Sequence, residues 1–225
     1  MNALCQLAGD WTGTTPTGGI MVERKWDGWR CLRFRGLDGK PRLWSRNGQP
    51  LNGADHIVHQ LDLFEHVAGV PLFLDGEVVV DDTLDATKRW FESGWRRGGD
   101  KGRLHLFDVL TEEEWRAGGS DRPLHERKAW LQELAGAVRD DPALSWDWRP
   151  GSRGGDDPTA VQVVEDEWAF TESDVHDMVQ RVWAVGGEGL MLKDPEAPYR
   201  RKRGPAWLKV KLDNWKRWAR TPIAA

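Results

Sequence analysis

Apolar positions along the chain fall into two rhythms. Alternating or β-branched runs occur at Ile20 to Glu23, Trp29 to Arg35, Pro41 to Arg46, Val70 to Val80, Arg103 to Leu110, Ala160 to Glu165, Gly189 to Lys193 and Ala206 to Leu212, the period-two signature of strands. Ala54 to Val67, Leu84 to Trp95, Pro123 to Val138 and Thr171 to Val185 space their apolar residues helically. Thr171 and Asp174 suit the start of the last helix as a cap, and Pro123 suits a first turn. Gly, Pro and charged residues mark loops at Arg149 to Pro158 and Arg96 to Gly102. The early strands follow one another without room for crossover helices, which predicts an α+β protein with antiparallel sheets flanked by helices.

Length and composition narrow the class. The 225 residues are 39% hydrophobic and 30% charged, as in soluble globular proteins, and one domain over residues 1–225 is expected. No apolar run approaches the roughly 18 residues needed to span a bilayer, and the opening Met1 to Gln6 lacks a secretory pattern. A cytoplasmic protein without a membrane partner is therefore expected, and a monomer. Cys5 and Cys31 form no CxxC pair and read as packing residues rather than a zinc site or a disulfide framework. The 15 Trp against one Tyr, Tyr199, suit a core or aromatic platforms for bases or sugars, with core packing the expected use. Net charge is −4, yet the chain from Arg200 onward carries +8 and the preceding part −12. A basic end on an acidic body suits a polyanion approaching one edge, as well as a solvated helix face.

Candidate chemistry begins at Glu23-Arg24-Lys25-Trp26-Asp27-Gly28-Trp29-Arg30, where a lysine follows one strand and a glycine precedes the next. An ordinary lysine, with a pKa of about 10.4, is neutral only about four times in ten thousand at pH 7, so a nucleophilic one needs neighbouring cations or a metal. Such cations recur downstream. Leu74-Asp75-Gly76-Glu77 places acids at a strand, Glu188 and Lys193 bracket a short apolar strand, and Lys209 and Lys211 share a strand face because strand side chains repeat every two residues. Two cations side by side grip a phosphate. Taken singly, each segment reads equally well as a turn, a core residue or a solvated face.

In this order the segments resemble the covalent nucleotidyltransferases, and ATP-dependent DNA ligases in particular. Lys25-Trp26-Asp27-Gly28-Trp29-Arg30 looks like the family's KxDGxR motif, and Ser45-Arg46-Asn47-Gly48 is similar to the SRNG segment that follows. Asp75-Gly76-Glu77, Phe107-Asp108-Val109-Leu110, Glu188 to Lys193 and Lys209-Val210-Lys211 look like the remaining motifs, so that the resemblance runs from about Ile20 to Lys211. It implies a nucleotidyltransferase domain of ATP-grasp-like architecture in which Lys25 attacks the α-phosphate of ATP to give lysyl-AMP. It also implies that Glu23 reads the adenine edge and Phe107 stacks on its face, while Arg30 and Glu77 hold the ribose. Lys209 and Lys211 would orient phosphates, Arg46 would bind the 5′-phosphate of nicked double-stranded DNA, and Glu188 would position Mg2+. One departure stands out: only 14 residues follow Lys211, too few for the OB-fold domain with which such ligases continue. The expectation is either a fragment or a minimal ligase without an OB domain, with the basic, Trp-containing segment 212–225 in its place and a clamp or repair partner chain as an option. Trp215 and Trp218 could stack on DNA or dock a short helix on the core. A nucleotide-binding subunit that needs a partner for sealing, and an RNA-end ligase, are the alternative functions.

Overall fold

A computed structural model describes residues 3–94, 101–140, 160–213 and 215. Strands β1 (Leu7–Asp10), β2 (Ile20–Lys25), β3 (Trp29–Arg35), β4 (Pro41–Ser45), β5 (Leu72–Val79) and β6 (Arg103–Thr111) are interrupted by helices α1 (Asp55–Ala68) and α2 (Leu84–Arg89). After β6 come α3 (Glu112–Arg116), β7 (Gly119–Ser120), α4 (Leu124–Asp140), β8 (Val161–Val163), β9 (Asp166–Ala169), α5 (Glu172–Ala184), β10 (Gly189–Lys193), β11 (Tyr199–Arg200) and β12 (Arg203–Lys211). These build two open five-stranded sheets, ordered β1-β12-β10-β2-β9 and β4-β3-β5-β6-β8, and a small β11-β7 pair. No helix among the described residues is long and apolar enough to cross a membrane.

Strand alternation decides what lies on each side. In the first sheet Ile20, Val22, Leu190, Leu192 and Val210 turn to Val175 and Val179 of α5. In the second, Cys31, Leu72, Leu74, Leu104 and Leu106 turn to Ile57, Leu61 and Phe64 of α1 and to Leu131, Leu134 and Val138 of α4. Between the sheets Leu32, Phe34, Phe73, Phe107, Leu110, Trp115, Tyr199 and Trp207 form a third, aromatic-rich core. Trp11, Trp90, Trp115 and Trp207 are buried in these cores, the use expected of them, whereas Trp168 is exposed, and the fold is α+β with α1, α4 and α5 on the outer faces.

The α+β expectation holds with two exceptions to antiparallel pairing: β1 pairs parallel with β12, and β6 with β8. Neither conflicts with the argument from short connections, because β1 and β12 lie at opposite ends of the chain and α4 supplies the crossover between β6 and β8. The run expected as one strand from Ala160 to Glu165 breaks at Val164. There the chain leaves the second sheet as β8 and joins the first as β9. The helix expected from Leu84 to Trp95 ends at Arg89 and passes into a wider π turn, Trp90–Gly94, where the adjacent Trp90 and Phe91 both pack on one core. Most of the 96–102 loop and all of the 149–158 loop lie outside the described residues. At the end of the chain Trp215 is docked, stacked 6.1 Å from Trp11 and packed 5.9 Å from Trp183 and 5.0 Å from His176, measured between ring centres. Trp218 is outside the described residues. Both cysteines are buried and free.

Helix α4 carries two charges on its apolar stripe: Arg127 and Lys128 are buried in register with Leu124, Leu131, Leu134 and Val138. Arg127 is fully enclosed and grips both oxygens of the enclosed Asp108, at 2.7 and 2.9 Å, and also donates to the carbonyl of Ala197 at 3.1 Å. Removing one partner of a buried ion pair strands the other charge. Arg127→Met is thus expected to lower unfolding stability by about 3–5 kcal/mol, read from urea titration, and a midpoint equal to wild type would show the pair to be dispensable.

Candidate active site

A cleft of about 920 Å³ opens between the two sheets and is lined by Lys25, Glu23, Arg30, Arg46, Glu77, Phe107, Lys209 and Lys211, eight residues singled out in the sequence. Their convergence follows from strand register. On the first sheet Lys25 of β2 aligns with Gly189 of β10 and Lys211 of β12, while Glu23 aligns with Met191 and Lys209. With the intervening residues turned to α5, these alternate positions all face the cleft. The middle of the Lys25–Lys211 row must be glycine: Gly189 has φ +153°, and a Cβ there would stand 2.0 Å from the Val210 carbonyl oxygen. At Gly28, in the turn after Lys25, a Cβ would stand 2.2 Å from the Val78 carbonyl oxygen, so this loop can lie flat on β5 only with glycine.

Two carboxylates each bridge two lysines. Glu188, just before β10, pairs through one oxygen with Lys25 and through the other with Lys211. Its own main-chain carbonyl accepts from the Trp183 indole at 3.2 Å. Deeper in, Glu23 is 2% exposed and pairs with Lys128 at 3.0 Å and Lys193 at 2.6 Å. Lys128 also donates to the Val164 carbonyl at 2.6 Å, at the point where the chain changes sheets. Lys193 sits over the rings of Phe107 and Trp207, 4.5 and 4.3 Å from their centres. Burial lowers its pKa, opposed by Glu23. The Glu188 site offers one carboxylate to a cation, and among the described residues no group of three or more metal-type side chains gathers.

On the second sheet Arg30 of β3 lies opposite Glu77 of β5 in register. Arg30 forks onto Asp75 at 2.5 and 2.6 Å and lies 4.6 Å from the Phe107 ring centre. Burial pushes the Glu77 carboxyl up to about 7, against the pull of Arg30 and Lys25. Phe107 owes its direction to a β-bulge: Asp75 pairs with Asp108 and Gly76 with Leu106, which leaves Phe107 as the extra residue. The strand's inside and outside exchange there, since Leu104 and Leu106 before it and Val109 after it face the helices. Arg46 stands exposed at the rim. Next to Lys25 in the chain, Trp26 is held between the Arg24 guanidinium, 4.2 Å from its ring centre, and the stacked His105 ring at 3.6 Å. Burial lowers the His105 pKa to about 4, with Arg24 adding to the effect.

Sequence reasoning missed Lys128, Tyr199 and Trp207, and gave Lys193 and Asp75 no task. Lys128 left a signal, a charge at an apolar position of a helical repeat; Tyr199 left none.

The sequence profile of the ATP-dependent DNA ligase domain matches residues 12–211. The chain belongs to that family. Among relatives of the ATP-dependent DNA ligase family, a DNA ligase of Haloferax volcanii is 34% identical over 213 residues, covering 87% of this chain and 31% of its own length. One from Haloarcula marismortui is 33% identical over 207 residues, covering 85% of this chain and 32% of its own. The chain thus spans about a third of the length of these curated relatives. The fold is shared with the ATP-dependent DNA ligase of bacteriophage T7, solved in complex with ATP, at a TM-score of 0.70 and 16% identity over 92% of this chain and 68% of that one. It is shared too with a Lig E DNA ligase, at a TM-score of 0.63 and 22% identity over the same fractions of the two chains.

The Glu77 carboxyl supplies a test of the cleft's electrostatics. Its folded pKa of about 7 lies above the ordinary 4.5, so the native state binds the proton more tightly and loses stability as pH rises between those values. Glu77→Gln is expected to match wild-type stability near pH 4.5 and to exceed it at pH 8, by at most about 3 kcal/mol. Unfolding midpoints at the two pH values measure this, and a gain equal at both would contradict the buried, proton-holding carboxyl.

Proposed function

We propose that this chain forms a lysyl-AMP intermediate on Lys25 from ATP and magnesium, transfers the AMP to the 5′-phosphate of nicked duplex DNA, and seals the nick. The observation that carries this reading is the bridge of Glu188 between Lys25 and Lys211 at the mouth of a cation-lined cleft. Phosphoryl transfer depends on placement and on neutralising developing charge, and the cleft supplies both.

In the first step Lys25 Nζ forms a bond to the α-phosphorus as the bond to the pyrophosphate oxygen breaks. The ammonium must first shed a proton, and the Glu188 carboxylate, already its partner, is the acceptor at hand. Lys209 and Lys211 face the phosphates, Arg30 and Glu77 the ribose, Phe107 the base plane and Glu23 the base edge. Held by two ammonium groups, the Glu23 carboxylate keeps lone pairs for an exocyclic amine. Magnesium, when bound, offsets charge on the phosphates; Glu188 fits such an ion, which takes few protein carboxylates and completes its shell with phosphate and water oxygens. In the second step the 5′-phosphate, held by Arg46, attacks the lysyl-AMP phosphorus and frees Lys25. In the third, the 3′-hydroxyl attacks the activated 5′-phosphate and AMP leaves. The chain works here as one adenylation unit, with Lys216, Arg217 and Arg220 adding cations beyond Lys211.

Intact mass after incubation with ATP and magnesium is expected to show one added AMP on the wild type and none on Lys25→Ala, followed by sealing of a nicked duplex by the wild type alone. An adduct without sealing would mark a subunit that needs a partner, and faster sealing of nicks with RNA strands an RNA-end ligase. No adduct on fresh or isolated protein would overturn the reading.

A further inference from the structure

Arg30 belongs to a closed circuit of hydrogen bonds that begins outside every motif. Its Nη2 donates to the Gln6 carbonyl at 3.2 Å, and the Gln6 amide donates to the Tyr199 hydroxyl at 3.0 Å. That hydroxyl donates to Asp75 Oδ2 at 2.6 Å, and Asp75 accepts from Arg30 Nε at 2.5 Å and Nη2 at 2.6 Å. Arg30 and Asp75 come from β3 and β5 of the second sheet, Tyr199 from β11 and Gln6 from the segment just before β1, and Tyr199 and Asp75 have no exposed surface.

The arithmetic of donors gives the circuit its meaning. A guanidinium has five N–H groups in one plane. Three of them, on Nε and Nη2, are consumed by Asp75 and Gln6, which fixes that plane beside the Phe107 ring. Among the described residues Nη1 makes no hydrogen bond, although Arg30 lines the cleft. Its two N–H groups remain for a ligand. Burial and the neighbouring Asp75 raise the Tyr199 pKa well above its ordinary value, so the phenol keeps its proton and donates.

We propose that Tyr199 is a positioning residue, whose hydroxyl holds Asp75 so that the free Nη1 edge of Arg30 meets the sugar of the bound nucleotide. This rests on the reading of the cleft as an ATP site with Arg30 at the ribose. Asp75 accepts from both Arg30 and Tyr199 on one oxygen, and loss of the phenol frees that oxygen to draw the guanidinium away from the sugar. The Gln6 amide would then also lack its acceptor.

The test is Tyr199→Phe, which keeps the ring contacts with Phe73 and Trp207, at 5.9 and 5.8 Å. Lysyl-AMP formation is followed across ATP and 2′-deoxy-ATP concentrations in the full chain. The variant is expected to need roughly tenfold more ATP for half-maximal rate, as fits loss of a hydrogen bond to a charged group, with its maximal rate changed by less than about twofold. Its preference for ATP over 2′-deoxy-ATP should shrink, whereas a merely unstable variant would lose both nucleotides in parallel and melt early. As a second variant, Asp75→Asn keeps the side chain's size and is expected to shrink the same preference. Wild-type concentration dependence and an unchanged nucleotide preference in both variants, with normal adduct formation by the wild type, would overturn the positioning role. Failure of the wild type itself to form an adduct would instead remove the ATP-site reading and this role with it.

Discussion

Like charges brought together on one face of a sheet repel, and this cleft depends on how that repulsion is offset. Period-two alternation places Lys25, Lys193, Lys209 and Lys211 on one face of three neighbouring strands. A carboxylate bridges two lysines at each depth: Glu188 joins Lys25 to Lys211 near the mouth, and Glu23 joins Lys193 to Lys128 in the interior. The two bridges differ in environment. Glu23 is sealed between enclosed lysines, where loss of one partner would leave a buried charge uncompensated. Glu188 and its lysines keep some access to water, where an ion pair can be exchanged at modest cost. The same charge pattern thus gives a fixed floor and an exchangeable mouth.

The second sheet solves a different problem, how to aim an aromatic ring from a strand buried on both faces. The bulge at Phe107 inserts one residue, turns its ring to the cleft and reverses the strand's faces, so that Leu106 and Asp108 on either side are both enclosed. Without the extra residue, strand parity would put Phe107 and Val109 on one side. The four residues Phe107-Asp108-Val109-Leu110 therefore encode a change of register as well as a ring and an acid.

How much of this was legible follows from range. The strands carrying Lys25, Lys193, Lys209 and Lys211 were readable because alternation is local, and it already placed the two last lysines on one face. The motif resemblance collected the cleft residues without any knowledge of register. What stayed hidden depends on contacts between distant segments: β1 is a four-residue strand without a β-branched residue that exists because β12 offers it an edge, and the Gln6–Tyr199 hydrogen bond spans 193 positions. The short helix α3 was missed although Thr111 and Glu114 form a capping box that the sequence displays. The break at Val164 was invisible because no Gly or Pro stands between Ala160 and Ala169 to signal it; in the structure the Lys128 ammonium donates to its carbonyl where the chain changes sheets.

The tryptophans separate scaffold from site by their indole N–H groups. A buried indole that serves only packing still needs an acceptor, and four of them have main-chain carbonyls: Trp11 with Thr14, Trp44 with Phe34, Trp115 with Leu4, and Trp183 with Glu188. Trp26 and Trp207, both lining the cleft, have buried indole nitrogens without a hydrogen-bond partner among the described residues. Both of these nitrogens are enclosed, one in the residue next to Lys25 and one in the ring packed on Phe107. An unmet donor in a packed wall costs about 1–3 kcal/mol, so these two indoles lower stability where the other four do not. Ring contacts, His105 on Trp26 and Lys193 over Trp207, rather than indole hydrogen bonds, thus hold these two side chains in the cleft wall.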